Sequence, residues 1–511
     1  MKKGLILGLV FCTLSSCIQA RENIVEQFKN NSAIIYTINI RNFASQDKDN
    51  DGIITTSLGD ISGTFVNGKN RLKELQQEGI NTVYILPITP TGKLKALGSA
   101  GSLYAMDDFS TINSQLDDKT NDLSVYEEAK NFIEEAHNLG MNVILDLPSC
   151  GSYDLSLNKP NWFLKDENNE TIIPADWRDV RLFKVHNEDG TLNQENINNF
   201  KSFVDMTINL GFDGIRADVA AIKPYDFWNK IITYAKNKKE NFIFLAEAAL
   251  DWDNPSEKGV KHYASIEELL DAGFDSYYGS WSNFKNIKTK KEFDSKIESN
   301  LKLLKNKKYK NKSIMASFAT HDQQAPILKG KNYWNMILWL NATMPINAYF
   351  LDGFSTGDSY TFSYENKKAI ESETDDELYF VHSGLFDIFN LNKKPEGNYP
   401  QFKKEYIRAI NFKKANQELL KKENYKTLKT HNDKVFAYSM SDKKTQIIVI
   451  GSLDDKEKQN AQVKSNFLNK EYLFSSINAI NKAQIIKNKI NATLEPMELQ
   501  VYIINQGVAL K

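Results

Sequence analysis

Carboxylates, an arginine and a histidine recur at the ends of short apolar runs in this chain. Asp146 lies in NVILDL, Arg216 and Asp218 in GIRAD, Glu247 closes FIFLAE, and His321-Asp322 follow SIMASFAT. A single acid in such a place caps the next helix as readily as it does chemistry. Several acids converging on one mouth are harder to explain as structure, because mutual repulsion in a partly dry pocket costs stability. The chemistry they suit is glycosidic: one carboxylate attacks a sugar carbon and a second protonates the leaving oxygen. Neither a phosphate loop nor a histidine–metal cluster competes with that reading. Arg216 precedes Asp218 by two residues, so both face one side of a strand. A guanidinium there is expected to keep Asp218 ionised, as an attacking carboxylate must be.

For these groups to meet, the runs must be parallel strands whose C-terminal ends share one face. After residue 30 short apolar runs alternate with amphipathic stretches. The pattern predicts strands at 33–40, 82–86, 142–147, 214–218, 242–247, 274–278, 313–320 and 348–351. It predicts helices at 68–77, 125–138, 195–210, 226–236, 291–304, 333–343 and 402–420. Strands alternating with helices imply parallel pairing with crossovers. The fold class is therefore α/β, a (β/α)8 barrel (TIM barrel) over 31–147 and 195–424, with its active face at the strand C-termini. Residues 148–194 are too long for an ordinary loop and read as a small inserted subdomain. From 425 to 511 the rhythm changes to short strands, at 434–439, 446–452, 471–474 and 498–504, read as a C-terminal β-sandwich.

The chain has 511 residues, 41% of them hydrophobic, with 64 Lys+Arg against 65 Asp+Glu. That composition excludes a disordered chain. The formal net charge of -1 argues against a surface built to hold nucleic acid. Three cysteines exclude a disulfide scaffold. Lys2 and Lys3 precede a short apolar run, and Leu14-Ser15-Ser16-Cys17 fits a bacterial lipobox. This predicts a signal over 1–16, lipidation at Cys17, a tether over 17–30 and a place on the bacterial cell envelope. The membrane would be met only through that anchor. The rival reading is an ordinary signal cut after Ala20. Either way Cys12 leaves with the signal and Cys150 is the cysteine of the folded body. No oligomeric state follows from the sequence.

Taken together, the motifs resemble glycoside hydrolase family 13, the α-amylase family. GFDGIRAD, ending at Asp218, is similar to the family's strand-four motif. FLAE, ending at Glu247, resembles the strand-five motif, and FATHD, ending at Asp322, the strand-seven motif. Ile35-Tyr36, Asn42-Phe43, 59–63 (GDISG) and Ile85-Leu86-Pro87 follow the family's opening segment, so the likeness covers most of 33–420. The resemblance implies that Asp218 is the nucleophile, Glu247 the acid/base and Asp322 the transition-state stabiliser. It places Arg216, His321, Asp146 and Tyr104 in the same sugar subsite. It implies double displacement with retention on α-glucans or their oligosaccharides. A glucanotransferase on the same triad and a silent glycan-binding lipoprotein are the rival readings.

The chain departs from the family pattern at several places. Cys150 and Gly151 stand where Asn and His are usual, Ala105 replaces an Asp, and Thr320 stands where Asn is common. Ala221 and Ile222 hold the positions of a Lys-His pair found in typical α-amylases, while Val219 is similar to oligo-1,6-glucosidase members. Cys150 has no cation beside it in sequence and reads as a small pocket-wall residue. Asp47, Asp49, Asp51 and the Ile53 carbonyl match a calcium loop of some family members, implying a structural Ca²⁺. The rival is a solvated acidic turn. Leu58 at position twelve excludes an EF-hand, and the insertion 54–58 separates Asp60 from the set. His137, His186, His262, His382 and His431 show no ligand pairing. Trp162, Phe163 and Trp177 would either stack on sugars or form the insert's core.

Overall fold

The computed structural model describes residues 21–46, 48, 56–95, 102–174, 177–252, 258–281, 284–323, 325–358, 400–469 and 471–506. Its centre is an eight-stranded parallel sheet. The strands are β1 (Ile34–Ile38), β2 (Thr82–Ile85), β3 (Asn142–Leu147), β4 (Gly214–Ala217), β5 (Ile243–Ala246), β6 (Ser276–Tyr278), β7 (Ser313–Met315) and β8 (Ala348–Leu351). Each pairs with its neighbour in chain order, and β8 pairs back onto β1. A parallel bridge between Met315 and Asn347 closes the ring between β7 and β8. These strands are buried on both faces, which is why they read as near-continuous apolar runs.

Registry decides which side chains meet. Asp146 on β3 lies opposite Arg216 on β4. Ala217 lies opposite Ala246 on β5. Asp218 and Glu247 are each the next residue along, so they leave adjacent strands side by side. The Asp218 amide donates to Leu147 O at 3.0 Å and the Glu247 amide to Ala217 O at 3.0 Å, continuing the ladder to the catalytic face. Below them the barrel is filled by tyrosines. Tyr349 has its ring centroid 6.1 Å from Tyr84 and 6.3 Å from Tyr278.

Several expected elements change length. The helix expected at 68–77 is two pieces, Phe65–Lys69 and Leu72–Glu78. At the break the Arg71 guanidinium turns inward over the Phe43 ring, 4.3 Å from its centroid. The strand expected at 313–320 ends at Met315, because Ala316 pairs with Asn347 O and Ser317 Oγ with Gly279 O, drawing the chain out of the sheet. The helix expected to reach 420 stops at Ala415. A helix absent from the sequence reading, Ile266–Ala272, follows β5 and is started by a Ser265/Glu268 capping box.

Between β3 and the helix Gln194–Leu210 the chain forms a two-stranded ribbon, Cys150–Ser152 with Val180–Leu182. At the C-terminus a five-stranded antiparallel sheet (Tyr425–Thr427, Val435–Ser441, Thr445–Ser452, Leu499–Gln506, Tyr472–Ile477) faces a three-stranded one (Gln459–Lys464, Lys489–Leu494, Gln484–Ile486). Val435, Ala437, Ile448 and Ile450 pack against the small sheet. Phe436, Tyr438, Ile447 and Val449 join the barrel's core from the other face.

Candidate active site

Arg216 is the hub, and its side chain is wholly buried. One guanidinium nitrogen, Nη1, donates to Asp146 Oδ1 at 2.9 Å and Oδ2 at 3.1 Å, and to Asp218 Oδ1 at 3.2 Å. The other, Nη2, pairs with Glu247 Oε1 at 2.6 Å. The Tyr278 ring backs the guanidinium at 5.6 Å. Burial works against the Arg216 charge, yet the Asp146 and Glu247 carboxylates outweigh it and hold the group more firmly protonated than usual.

The carboxylates are not equivalent. Asp146 is fully enclosed. Besides Arg216 it accepts from Tyr84 Oη at 2.5 Å and Tyr104 Oη at 2.8 Å. Wholly enclosed, it orients its neighbours and does not meet a substrate. The side chains of Asp218, Glu247 and Asp322 are 11%, 10% and 38% exposed, so these three can meet a ligand.

Asp218 has both oxygens held, Oδ1 by Arg216 and Oδ2 by the Ser149 amide at 3.3 Å. Glu247 Oε2 accepts from the Val219 amide at 2.7 Å. That amide points at Glu247 because Val219 takes φ 38° and ψ 51°, a left-handed conformation that a β-branched residue adopts only under strain. Burial pushes the Asp218 carboxyl well above its ordinary range, the Glu247 charge adds to this, and Arg216 opposes it. The guanidinium expected to keep Asp218 ionised is thus divided among three carboxylates, and burial together with the Glu247 charge works against it.

His321 and Asp322 stand beyond β7. The Tyr104 hydroxyl donates to Asp146, so it must accept at 2.6 Å from His321 Nε2. Burial, followed by the Arg216 charge, lowers His321 to about 4, giving a neutral imidazole with the proton on Nε2. The two rings stack, with centroids 5.7 Å apart. Asp322 Oδ1 is 3.5 Å from His321 Nε2. Desolvation raises Asp322, nominally to about 6, with Arg216 opposing. Since more than a third of its side chain meets solvent, water screens it and the upward direction is what the geometry supports.

Positions where the resemblance leads one to expect polar groups have become apolar together. Ala105, Cys150 and Ile222 pack in one cluster with Val180 and Leu182, and Trp177 lies against it. At Gly151 a Cβ would meet the Phe163 and Phe183 rings at 2.8 Å, so no side chain fits there. The lack of a cation near Cys150 holds only along the chain. In space Lys223 is close enough for its charge to feel Cys150. Sequence reasoning missed two groups that hold the carboxylates, Tyr84 and Ser149. Tyr84 was detectable as an inward position of the second strand; Ser149 carried no signal.

Phe163 stacks on Phe183 within the insert with centroids 4.8 Å apart, and Trp162 Nε1 donates to Glu195 of the helix Gln194–Leu210 at 2.9 Å, tying the insert to the barrel. His137, His186 and His262 contact Asp213, Asp226 and Glu268 respectively. Asp47, Asp49, Asp51 and Ile53, the residues expected to hold calcium, lie outside the described residues, as do Cys17 and His382. Asp60 Oδ1 accepts from the Lys48 amide at 2.9 Å. Among the described residues no three His, Cys, Asp or Glu side chains group as metal ligands.

Comparison with known proteins places the fold. No family model matches the chain. It is 28% identical over 240 residues to the α-1,4-glucan:maltose-1-phosphate maltosyltransferase of Bifidobacterium animalis subsp. lactis, covering 44% of this chain and 31% of that protein. It is 29% identical over 240 residues to the enzyme of the same name from Myxococcus xanthus, covering 44% and 34%. The chain thus spans about a third of the length of the curated relatives it matches. Among solved structures, a maltogenic α-amylase of Thermotoga neapolitana superposes with TM-score 0.65 at 19% identity, over 93% of this chain and 99% of that one. A debranching enzyme of Nostoc punctiforme gives TM-score 0.63 at 16% identity, over 96% and 100%. The α-amylase likeness carried by the motifs therefore extends to the architecture of the whole chain.

Proposed function

We propose that the protein is a retaining enzyme that opens α-glucosidic bonds in starch- or glycogen-derived glucans and oligosaccharides. The observation that carries this reading is one buried guanidinium holding Asp146, Asp218 and Glu247 at the ends of three adjacent strands. Asp146 is enclosed away from the open face. The motif resemblance gives Asp218 the attack and Glu247 the proton transfer. In the reactive complex Glu247 carries the proton. An Asp218 oxygen bonds to the anomeric carbon while the leaving oxygen takes the Glu247 proton. Glu247 then accepts a proton from the incoming hydroxyl as that oxygen displaces Asp218. Asp322, the most open carboxylate, stabilises the positive charge on the sugar ring, and Arg216 with the Tyr104–His321 pair fixes the pocket.

Water as the second nucleophile gives hydrolysis; a sugar hydroxyl gives transfer. The printed names of the curated relatives are those of maltosyltransferases, which supports transfer as the second reading. Both are tested by incubating the purified protein with maltooligosaccharides, isomaltooligosaccharides and pullulan, with and without excess acceptor. Reducing sugar released in proportion to bonds broken supports a hydrolase; longer chains at constant reducing ends support a transferase. No turnover on any of them would sink both, and Asp218→Asn should abolish whichever is seen.

The same reading includes a lipid anchor at Cys17 on the bacterial envelope and a structural Ca²⁺ at Asp47, Asp49, Asp51 and Ile53. Labelling by a fatty-acid probe that is lost in Cys17→Ala tests the first. A fall in thermal midpoint on chelation, restored by calcium and absent in Asp49→Ala, tests the second.

A further inference from the structure

We propose that Lys223 is a positioning residue for the nucleophile and acts on it through Ser149. The inference rests on reading Asp218 as the attacking carboxylate. Lys223 lies in the turn after β4 and is 1% exposed. Its Nζ donates to the Ser149 carbonyl at 2.7 Å, its one hydrogen-bond acceptor among the described residues. Ser149 stands at the root of the inserted segment and grips Asp218 twice. Its amide donates to Oδ2 at 3.3 Å, and its Oγ donates to the Asp218 backbone carbonyl. A chain of contacts therefore runs from the ammonium to Ser149 to the nucleophile, and the short stretch between Asp218 and Lys223 closes it into a ring.

The arrangement is costly if its purpose is only to fill space. An ammonium with one acceptor is poorly compensated in a buried site, and apolar packing of similar volume would tie the insert to the barrel as well or better. The Phe200 and Phe227 rings, 5.3 and 5.9 Å from Nζ, offset part of that cost. Burial lowers Lys223 to about 8, while the charges of Cys150 and Asp218 act in the opposite direction. The cation thus feels the nucleophile as well as the loop that holds it. Arg216 fixes Oδ1 of Asp218 and the Lys223–Ser149 pair fixes Oδ2, which sets the carboxylate plane. Because Ser149 immediately precedes the ribbon strand Cys150–Ser152, the same contacts couple the insert's position to the nucleophile's orientation.

Lys223→Met keeps the volume and removes the donor. Its kcat/KM should fall about 10- to 100-fold, the loss expected when a reacting group is displaced by a fraction of an ångström to an ångström. The fall should be in kcat, with KM and thermal midpoint little changed. It should be as large with α-glucosyl fluoride as with an alkyl α-glucoside, because fluoride leaves without a proton and the step impaired is attack. Glu247→Gln should differ, recovering much of its rate on the fluoride. Wild-type kcat/KM in Lys223→Met, or a loss that vanishes on the fluoride, would overturn the proposal. If that variant fails to fold, Lys223→Leu decides, since it also removes the donor to the Ser149 carbonyl and full activity in it would overturn the proposal. A crystal structure of Lys223→Met gives a readout independent of turnover. A shifted Ser149 and a rotated Asp218 carboxylate are expected, and unmoved groups would refute the role even if the wild type proved inert on every glucoside.

Discussion

One guanidinium serving three carboxylates gives each acid less than a full counter-charge. With Asp218 pushed up by burial and by Glu247, the attacking carboxylate takes a proton at higher pH than an ordinary aspartate. The acid limb of kcat/KM should therefore lie above the ordinary carboxylate range. It should persist with α-glucosyl fluoride, which needs an ionised nucleophile but no acid. A limb in the ordinary range on both substrates would show that Asp218 is not held up in this way. Much of this site was legible in the sequence, because Asp146, Arg216, Asp218 and Glu247 sit at the ends of recognisable strands and His321-Asp322 follow the apolar run that opens with β7. The distribution of charge among them was not. It depends on Asp146 lying in register with Arg216 and on donors such as Tyr84 and Ser149, brought in from elsewhere in the chain. The strain at Val219 was equally invisible, since valine is an ordinary strand-end residue until its amide must turn towards Glu247.

Among the elements, the ribbon Cys150–Ser152 with Val180–Leu182 departs most from what the motif resemblance implies. Its packing explains why. With Phe163 and Phe183 crowding Gly151 to 2.8 Å from any Cβ, the ribbon closes only over a residue without a side chain. Gly151→Ala should therefore destabilise the protein by about 1–3 kcal/mol, read as a lower midpoint in urea. An unchanged midpoint would mean the rings move aside freely. Asp179, just before the second ribbon strand, makes a complementary case. Its carboxyl is 4% exposed, and Oδ2 has no partner among the described residues. Burial raises it to about 6, against Ser102 and Arg181. A folded-state pKa above the unfolded one contributes stability below the unfolded value, and that contribution is lost as pH rises through about 6. Asp179→Asn should then raise stability by about 1–3 kcal/mol at pH well above 6. It should give no gain below the ordinary aspartate value of 3.8. A gain of equal size at both extremes would show that the effect is packing and not charge. The barrel strands were readable from their β-branched runs. The strands Gln459–Lys464 and Lys489–Leu494 were not, because their outer faces are polar and they bury alternate residues only.

At the scale of the molecule, the question is whether the C-terminal sheets are a passenger. Their larger sheet is apolar on both faces, one turned to the smaller sheet and one to the barrel. Across the second face the Phe436 ring stacks on Phe293 of the helix Lys290–Lys305, with centroids 3.9 Å apart. Nearby, Tyr438 Oη and Thr343 Oγ1 share a hydrogen bond at 2.6 Å, and the Lys290 amide donates to Asp433 O at 2.6 Å. Residues of barrel and sheet thus form one continuous core, and a core shared across two units makes their unfolding cooperative. Phe436→Ala removes a ring from its centre and should cost about 3–5 kcal/mol. Because the helix it abandons is itself part of the barrel wall, the loss should lower a single calorimetric transition. A barrel transition left at its original temperature, with a separate earlier one for the C-terminal sheets, would show instead that the two units are only in contact.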